Sequence, residues 1–198
     1  MNPVPLFLII VTLPLLLGGC SIEEPVTETK LELEGVNAEK LEEREGLAYV
    51  KGSDAPYTGK VYGLYENGQK KAEANFKDGK PNGVMVLWHD NGQKSYEANF
   101  KDGKRDGLWL TWHDNGQKND EGNWKDGKMD GLHVKWYPNG KKNQEVNYKD
   151  GKTNGLLALW HDNGQKSYEA NFKDGKRISE KWWDIKGEPV PRQEAEAE

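Results

Sequence analysis

Across residues 46–187 apolar and polar side chains alternate with a period of two rather than 3.6, which predicts strands and not amphipathic helices. Leu156, Ala158 and Trp160 fall on one face of a strand, matching Leu108, Leu110 and Trp112 further up the chain. Beyond them Ala170 and Phe172 match Gly122 and Trp124, alternating with Glu169, Asn171 and Lys173, as Glu97, Asn99 and Lys101 do earlier. A small residue two places before each aromatic leaves room for a neighbouring ring on the same face. The other positions of the first strand in each unit carry Met85 and Leu87, then Trp109 and Thr111, then His133 and Lys135. They are expected to form a less apolar face beside the rows of Glu, Asn and Lys.

The alternating stretches are punctuated on a strict period. Asn-Gly recurs at Asn67-Gly68, Asn91-Gly92, Asn115-Gly116, Asn139-Gly140 and Asn163-Gly164, always 24 residues apart. Asp-Gly recurs at Asp78-Gly79, Asp102-Gly103, Asp126-Gly127, Asp150-Gly151 and Asp174-Gly175, and a third series runs Gly59, Gly83, Gly107, Gly131, Gly155. Asn-Gly and Asp-Gly favour two-residue type I′ turns, so each unit reads as a hairpin of two antiparallel strands. Nine residues separate Asn-Gly from Asp-Gly but eleven lead on to the next Asn-Gly, so a bulge or longer connection is expected at the third glycine.

Both ends depart from the unit, as caps of a repeat array do. Residues 46–50 read as a strand followed by a turn at 51–54. Residues 178–184 read as a last strand carrying Trp182 and Trp183, after which Pro189 and Pro191 are expected to stop pairing. The fold class is therefore all-β: an elongated, twisted antiparallel meander of about 12 strands, built from five 24-residue hairpin repeats plus capping strands and ~55 Å long.

Composition narrows this further. The chain has 198 residues, a formal charge of −5 and a mean hydropathy of −0.97. Beyond residue 19 it holds only 27 Leu, Ile, Val and Phe, against 8 Trp, 8 Tyr and 23 Gly in the whole sequence. That describes a thin core made of rings and excludes a large α/β enzyme with a deep pocket. One cysteine excludes an internal disulfide framework. The acidity belongs to the flanks: residues 21–45 carry −6 and 188–198 carry −3, leaving the repeats at +4. Both flanks are too charged to bury a core and are expected to be a flexible tether and a disordered tail. Nucleic acid is not implied.

Residues 3–17 form an uncharged, mostly apolar run, shorter than the roughly 20 residues of a membrane-spanning helix and suited to a signal-peptide core. It ends at Leu17-Gly18-Gly19-Cys20, which resembles the lipobox of bacterial lipoprotein precursors. That resemblance implies a signal peptide over 1–19, lipidation of Cys20, and a tether over 20–45 ahead of the repeats at 46–187. Two or three acyl chains hold a protein at a membrane stably, where one does not. In a cell with two membranes, Ser21 after the cysteine implies the outer one.

The unit Trp-His-Asp-Asn-Gly-Gln-Lys followed by Glu-Ala-Asn-Phe-Lys-Asp-Gly-Lys resembles the MORN repeat, in the bacterial variant found in the YwqK-type antitoxin family. The opening Tyr57-Thr58-Gly59-Lys60-Val61-Tyr62-Gly63 is similar to that family's entry into its first repeat. The resemblance implies a non-catalytic protein whose partner is another protein, a toxin. Other MORN proteins suggest lipid headgroups as a further ligand.

Candidate chemistry is sparse. His89, His113 and His161 share one repeat position with Tyr137, while His133 stands outside the period. Equivalent positions lie two strands apart, ~9.6 Å, too far to share a zinc held at ~2.0–2.1 Å without strong convergence. No metal or other cofactor is therefore expected, and the repeated aspartates read as turn formers. Residues 88–105 and 160–177 are identical, whereas an active site gathers unlike groups around one reacting atom. The expectation is a non-enzyme with a partner-binding face that includes His89, Trp109, His113, His133, Tyr137 and His161, with Trp109 and Tyr137 as anchors. A shelf of rings for envelope glycan or peptidoglycan is the alternative. Asn75, Asn99, Asn123, Asn147 and Asn171 are poor strand formers and are expected to hydrogen-bond a neighbouring bulge.

Overall fold

The computed structural model describes residues 34–191. The leader with Cys20, the first part of the acidic segment and the tail from Arg192 lie outside the described residues, so the signal-peptide, lipidation and tail expectations are not addressed by it.

The described chain is all-β. Strands β1 (Val36–Asn37), β2 (Leu41–Arg44) and β3 (Leu47–Val50) precede the repeats. The repeats supply β4 (Gly59–Leu64), β5 (Lys70–Lys77), β6 (Lys80–Trp88), β7 (Lys94–Lys101), β8 (Lys104–Trp112), β9 (Lys118–Lys125), β10 (Lys128–Met129), β11 (Gly131–Trp136), β12 (Lys142–Lys149), β13 (Lys152–Trp160), β14 (Lys166–Lys173) and β15 (Lys176–Trp183). Strand β16 (Pro189–Val190) closes the order. From β4 to β16 each strand pairs with its neighbour in sequence, save that β9 meets both β10 and β11; with β1 added beside β4 they make one open 14-stranded sheet. β2 and β3 form a separate hairpin.

The two turn types differ. At the Asp-Gly turns both central residues have positive φ, 49° at Asp78 and 77° at Gly79, and Lys77 pairs with Lys80: the expected type I′ hairpin. At the Asn-Gly turns only the glycine does. Gly68 N–H donates to Tyr65 C=O and Tyr65 N–H to Gln69 C=O, enclosing a three-residue loop, Glu66-Asn67-Gly68. These are type I turns closed by an αL glycine, a correction to the two-residue expectation. Asn67 favours this form because its Oδ1 accepts from Gln69 N–H, stabilising an αR turn residue.

Each repeat also holds the expected irregularity at its third glycine. Between Ala74↔Met85 and Phe76↔Pro81, one residue of β5, Asn75, faces three of β6, Asn82, Gly83 and Val84. Asn75 Nδ2 donates to Val84 C=O and Asn99 Nδ2 to Leu108 C=O, both at 3.3 Å, so at these two positions the mid-strand asparagine ties down the bulge. A Cβ on Gly107 would lie 3.3 Å from Asn99 Cβ, on a backbone at φ 108°, which explains glycine there.

Register corrects the face assignment. Leu87 opposes Tyr96, Met85 opposes Ala98 and Gly83 opposes Phe100, so the Met85 row shares its face with the Ala and Phe rows. The Glu, Asn and Lys rows lie on the opposite face with the Val86, Leu110 and Ala158 row. The interior of this single layer is the small-residue file: Ala98, Val146 and Ala170 are 1% exposed or less, flanked by rings.

Structure extends beyond the expected caps. Val36 and Asn37 pair in parallel with Val61 and Tyr62, and Leu41–Arg44 pairs with Leu47–Val50, so the acidic stretch is built into the fold from Val36 onward. Its apolar residues, Val36 and Leu41, half-buried, supply what its composition as a whole lacks. Pairing also continues past Trp183: Pro189 opposes Trp183 and Val190 opposes Trp182. A proline is tolerated there because β16 is an edge strand.

Candidate functional site

Successive hairpins are stitched together along both rows of turns. On the Asn-Gly side, Asn91 Nδ2 donates to Asp114 C=O at 2.9 Å, Asn115 to Pro138 at 2.8 Å and Asn139 to Asp162 at 3.1 Å. On the Asp-Gly side, Gly103 N–H donates to Pro81 C=O and Gly127 N–H to Arg105 C=O, both at 2.9 Å. The residue before each third glycine takes part too: Thr58 Oγ1 accepts from Asp78 N–H, Asn82 Oδ1 from Asp102 N–H and Asp106 Oδ2 from Asp126 N–H. Asn91, Asn115, Asn139 and Asn163 thus reach the next turn along, while the bonds to Thr58, Asn82 and Asp106 close each repeat on itself.

The histidine row belongs to the same ladder. Nε2 of His89, His113 and His161 lies 3.3, 3.0 and 3.4 Å from the carbonyl oxygens of Trp112, Trp136 and Trp183. Tyr137 does the same by donating from Oη to Trp160 C=O at 2.7 Å, and Tyr65 to Trp88 C=O. His89, His113, His161 and Tyr137 are thus half-buried rungs between repeats, not free anchors. An imidazole N–H and a phenol O–H are interchangeable here because the acceptor is a backbone carbonyl.

On the face with the Glu rows, Lys70, Lys94, Lys118, Lys142 and Lys166 each bridge the glutamate three residues on, at 2.6–2.9 Å. Their ammonium groups stand 5.2–5.9 Å from the ring centres of Trp88, Trp112, Trp136, Trp160 and Trp183. Five cation–π contacts in file make this face a continuous Glu–Lys–Trp spine.

One place breaks the symmetry. Trp109 and His133 lie on the ring-rich face and are packed into it. His133 is buried with its Nε2 3.1 Å from Asp120 Oδ1. Thr111 Oγ1 donates to Asp120 Oδ2 at 3.4 Å, and Lys135 Nζ lies 3.7 Å from Oδ1. The Trp109 ring centre is 5.5 Å from that of His133 and 6.4 Å from that of Trp124, edge-on. Arg105 lies over Trp124 at 4.9 Å. Asp120, Thr111 and Trp124 were not singled out by spacing arguments. Their signal was departure from the repeat: Asp120 stands where other units carry Tyr96 and Tyr168, and Gly122 where they carry Ala98 and Ala170. Of the expected binding set, the structure brings together only Trp109 and His133. Among the described residues no group of three His, Cys, Asp or Glu is arranged to hold a metal ion.

Stacked hairpins in which each unit is bonded to the units before and after it define a single-layer β repeat scaffold. Four of them in tandem, residues 57–78, 81–102, 105–126 and 129–150, match the MORN repeat variant. No curated protein matches the chain.

Proposed function

We propose that this chain is a non-catalytic interaction scaffold that binds another protein, held at a bacterial membrane through lipidated Cys20 and acting as an antitoxin or immunity factor. The observation that carries the binding role is the sameness of successive units. The histidine and tyrosine rungs, the turn asparagines and the Glu–Lys–Trp spine each repeat one arrangement, which multiplies like contacts along a surface. Chemistry on a substrate requires unlike groups focused on one atom. The tandem match to the MORN repeat variant supports the same role. The lipobox resemblance at 17–20 supports the membrane address. A toxin partner acting in the envelope agrees with export of its antidote.

The test is cross-linking of the lipidated protein in its own membranes, with identification of the captured product and of any toxin-like product of a neighbouring gene. Capture at micromolar concentration is the expected result, and its absence overturns the reading. A Cys20→Ala form should leave the membrane fraction. The row of five tryptophans favours, as a second reading, stacking on envelope glycan, although each ring already carries a lysine. Sedimentation with insoluble peptidoglycan, reduced by Trp112→Ala and Trp136→Ala, is what that reading requires.

A further inference from the structure

The Asp-Gly turns concentrate charge. Each is a Lys-Asp-Gly-Lys tetrad, from Lys77 and Lys80 at the first turn to Lys173 and Lys176 at the fifth, so ten lysines flank five aspartates. All ten are exposed, and among the described residues none of them makes an ion pair. Near the other flank five lysines are spent on glutamates and Lys141 donates to Asn163 C=O, and that flank presents Glu66, Asp90 and Asp162, with Asp114 beside His89. The modest net charge of the repeats is therefore strongly polarised across the width of the sheet. Asp106 and Asp130, one step inside the basic flank, accept turn N–H groups.

The second lysine of each of the first four tetrads also lies against the next Asp-Gly turn. A Cβ on Gly103 would lie 3.6 Å from Lys80 Cβ, and one on Gly127 3.7 Å from Lys104 Cβ, so each stem runs along the next turn while the residue stays exposed. Glycine at that turn leaves the stem its path.

We propose that this flank is the docking surface for an extended acidic segment of a partner protein. The inference rests on the scaffold reading above and names the partner's chemistry. The five turns recur every two strands, ~9.6 Å, and so span ~38 Å, the length of about 12 residues of extended chain. Neighbouring strands in a sheet are rotated by roughly 20–25°, so eight strand steps turn the lysine row through about 160–200°. A flat anionic bilayer meets only part of such a spiral, whereas a flexible carboxylate-bearing chain follows it. Single exposed pairs are weak, but a row of them steers and orients a partner of opposite sign.

The experiment titrates the full chain with a fluorescent Glu-rich peptide of about 12 residues, at low and at physiological salt, alongside vesicles containing anionic lipid. Binding that weakens with salt is expected. Replacing Lys101, Lys104, Lys125 and Lys128 with Gln should weaken it by about tenfold or more, while Arg at the same four positions retains it. An unchanged melting temperature confirms that the variants fold. No peptide binding, equal binding by the Gln variant, or binding of vesicles but not peptide would overturn the proposal. Partner capture from membranes by the Gln variant at wild-type level would leave the scaffold reading standing and remove the lysine flank from it. Capture by neither form would defeat the scaffold reading while the peptide titration still reports on the flank.

Discussion

His133 Nε2 lies 3.1 Å from Asp120 Oδ1, within hydrogen-bond distance, and these are the two buried polar or charged side chains among the described residues. A partner is needed wherever such a group is buried, and here each is the other's principal one. Asp120→Ala is expected to lower stability by about 1.5–3 kcal/mol, because it strands the imidazole among Trp109 and Tyr148. Replacing both at once, Asp120→Tyr with His133→Leu, restores the residues that other units use at these positions and should be close to neutral. Urea unfolding of Asp120→Tyr, of His133→Leu and of the double variant forms the cycle. Additive losses would mean that the pair is not coupled.

Gly122 exists for the same ring. A Cβ there would lie 3.0 Å from His133 Cδ2, in a backbone that otherwise accepts alanine, as Ala98 and Ala170 show. Gly122→Ala should therefore destabilise the native chain by about 1–3 kcal/mol through overpacking, yet be tolerated once His133 is Leu. Denaturation midpoints of the two alanine variants decide it: equal losses with and without His133 would point to a backbone requirement instead.

Much of this architecture is legible in the residues. The 24-residue period gives the meander, Asp-Gly gives the type I′ turns, and the longer second spacer gives the bulge at the third glycine. Face assignment was not legible, for a physical reason. Strands such as Gly-Leu-Trp-Leu-Thr-Trp at 107–112 are apolar on both faces, so alternation cannot say which row joins Ala98 and Phe100; only cross-strand register can. The rung role of His89, His113 and His161 was equally hidden, because its acceptor is a main-chain carbonyl one repeat away that leaves no mark on side-chain identity. What sequence did show at His133 was a residue outside the period, and that is where the buried cluster lies.

The turn asparagines are unequal although their dipeptides are identical. Asn115 Nδ2 donates to Pro138 C=O in the next repeat at 2.8 Å, whereas Asn67 Nδ2 reaches only the exposed side chain of Gln69 at 3.1 Å. Converting Asn115 to Asp removes a donor and sets a carboxylate against a carbonyl, which should cost about 1–2 kcal/mol. Asn67→Asp keeps the Oδ1 bond to Gln69 N–H and should stay within about 0.5 kcal/mol of the native chain. Amide hydrogen exchange near residues 137–141 adds a local readout, since only the Asn115 change should loosen that turn.

At the first Asp-Gly turn the glycine is covered, although Lys77 and Lys80 stay exposed. Gly79 is buried, with its N–H donating to Tyr57 C=O and its carbonyl accepting from Ala48 N–H, both at 2.8 Å. A Cβ on it would lie 2.8 Å from Leu47 Cβ and 3.1 Å from Pro56 Cβ. At Gly92 a similar φ, 82° against 77° at Gly79, meets open space. Gly92→Ala should therefore show only the backbone penalty, about 1 kcal/mol, while Gly79→Ala adds the displacement of the β2–β3 hairpin. Limited proteolysis between residues 41 and 56 distinguishes them: faster cleavage is expected in Gly79→Ala alone.

At the other end of that cap, Glu34 and Lys60 form an exposed ion pair beside β1. The hydrogen bond to Lys60, and then its charge, holds the Glu34 carboxyl below its ordinary value of 4.5. The same bond and charge raise Lys60 above its ordinary 10.5. A depressed carboxyl stabilises the folded form above the unfolded-state value and loses that contribution as pH falls through the folded-state one. A raised ammonium contributes fully below about 10.5 and loses it as pH climbs past its folded-state value. Protection of the Val36 and Asn37 pairing against β4 should accordingly be flat through neutral pH and fall below about 4.5 and well above 10.5. Both groups are exposed, so the effect is local and screened by salt. Residue-resolved amide exchange, corrected for intrinsic pH dependence, measures it on the acid side. Glu34→Gln should lose the acid-side dependence while leaving the repeats unaffected, and an unchanged acid-side fall in that variant would assign it to another carboxyl.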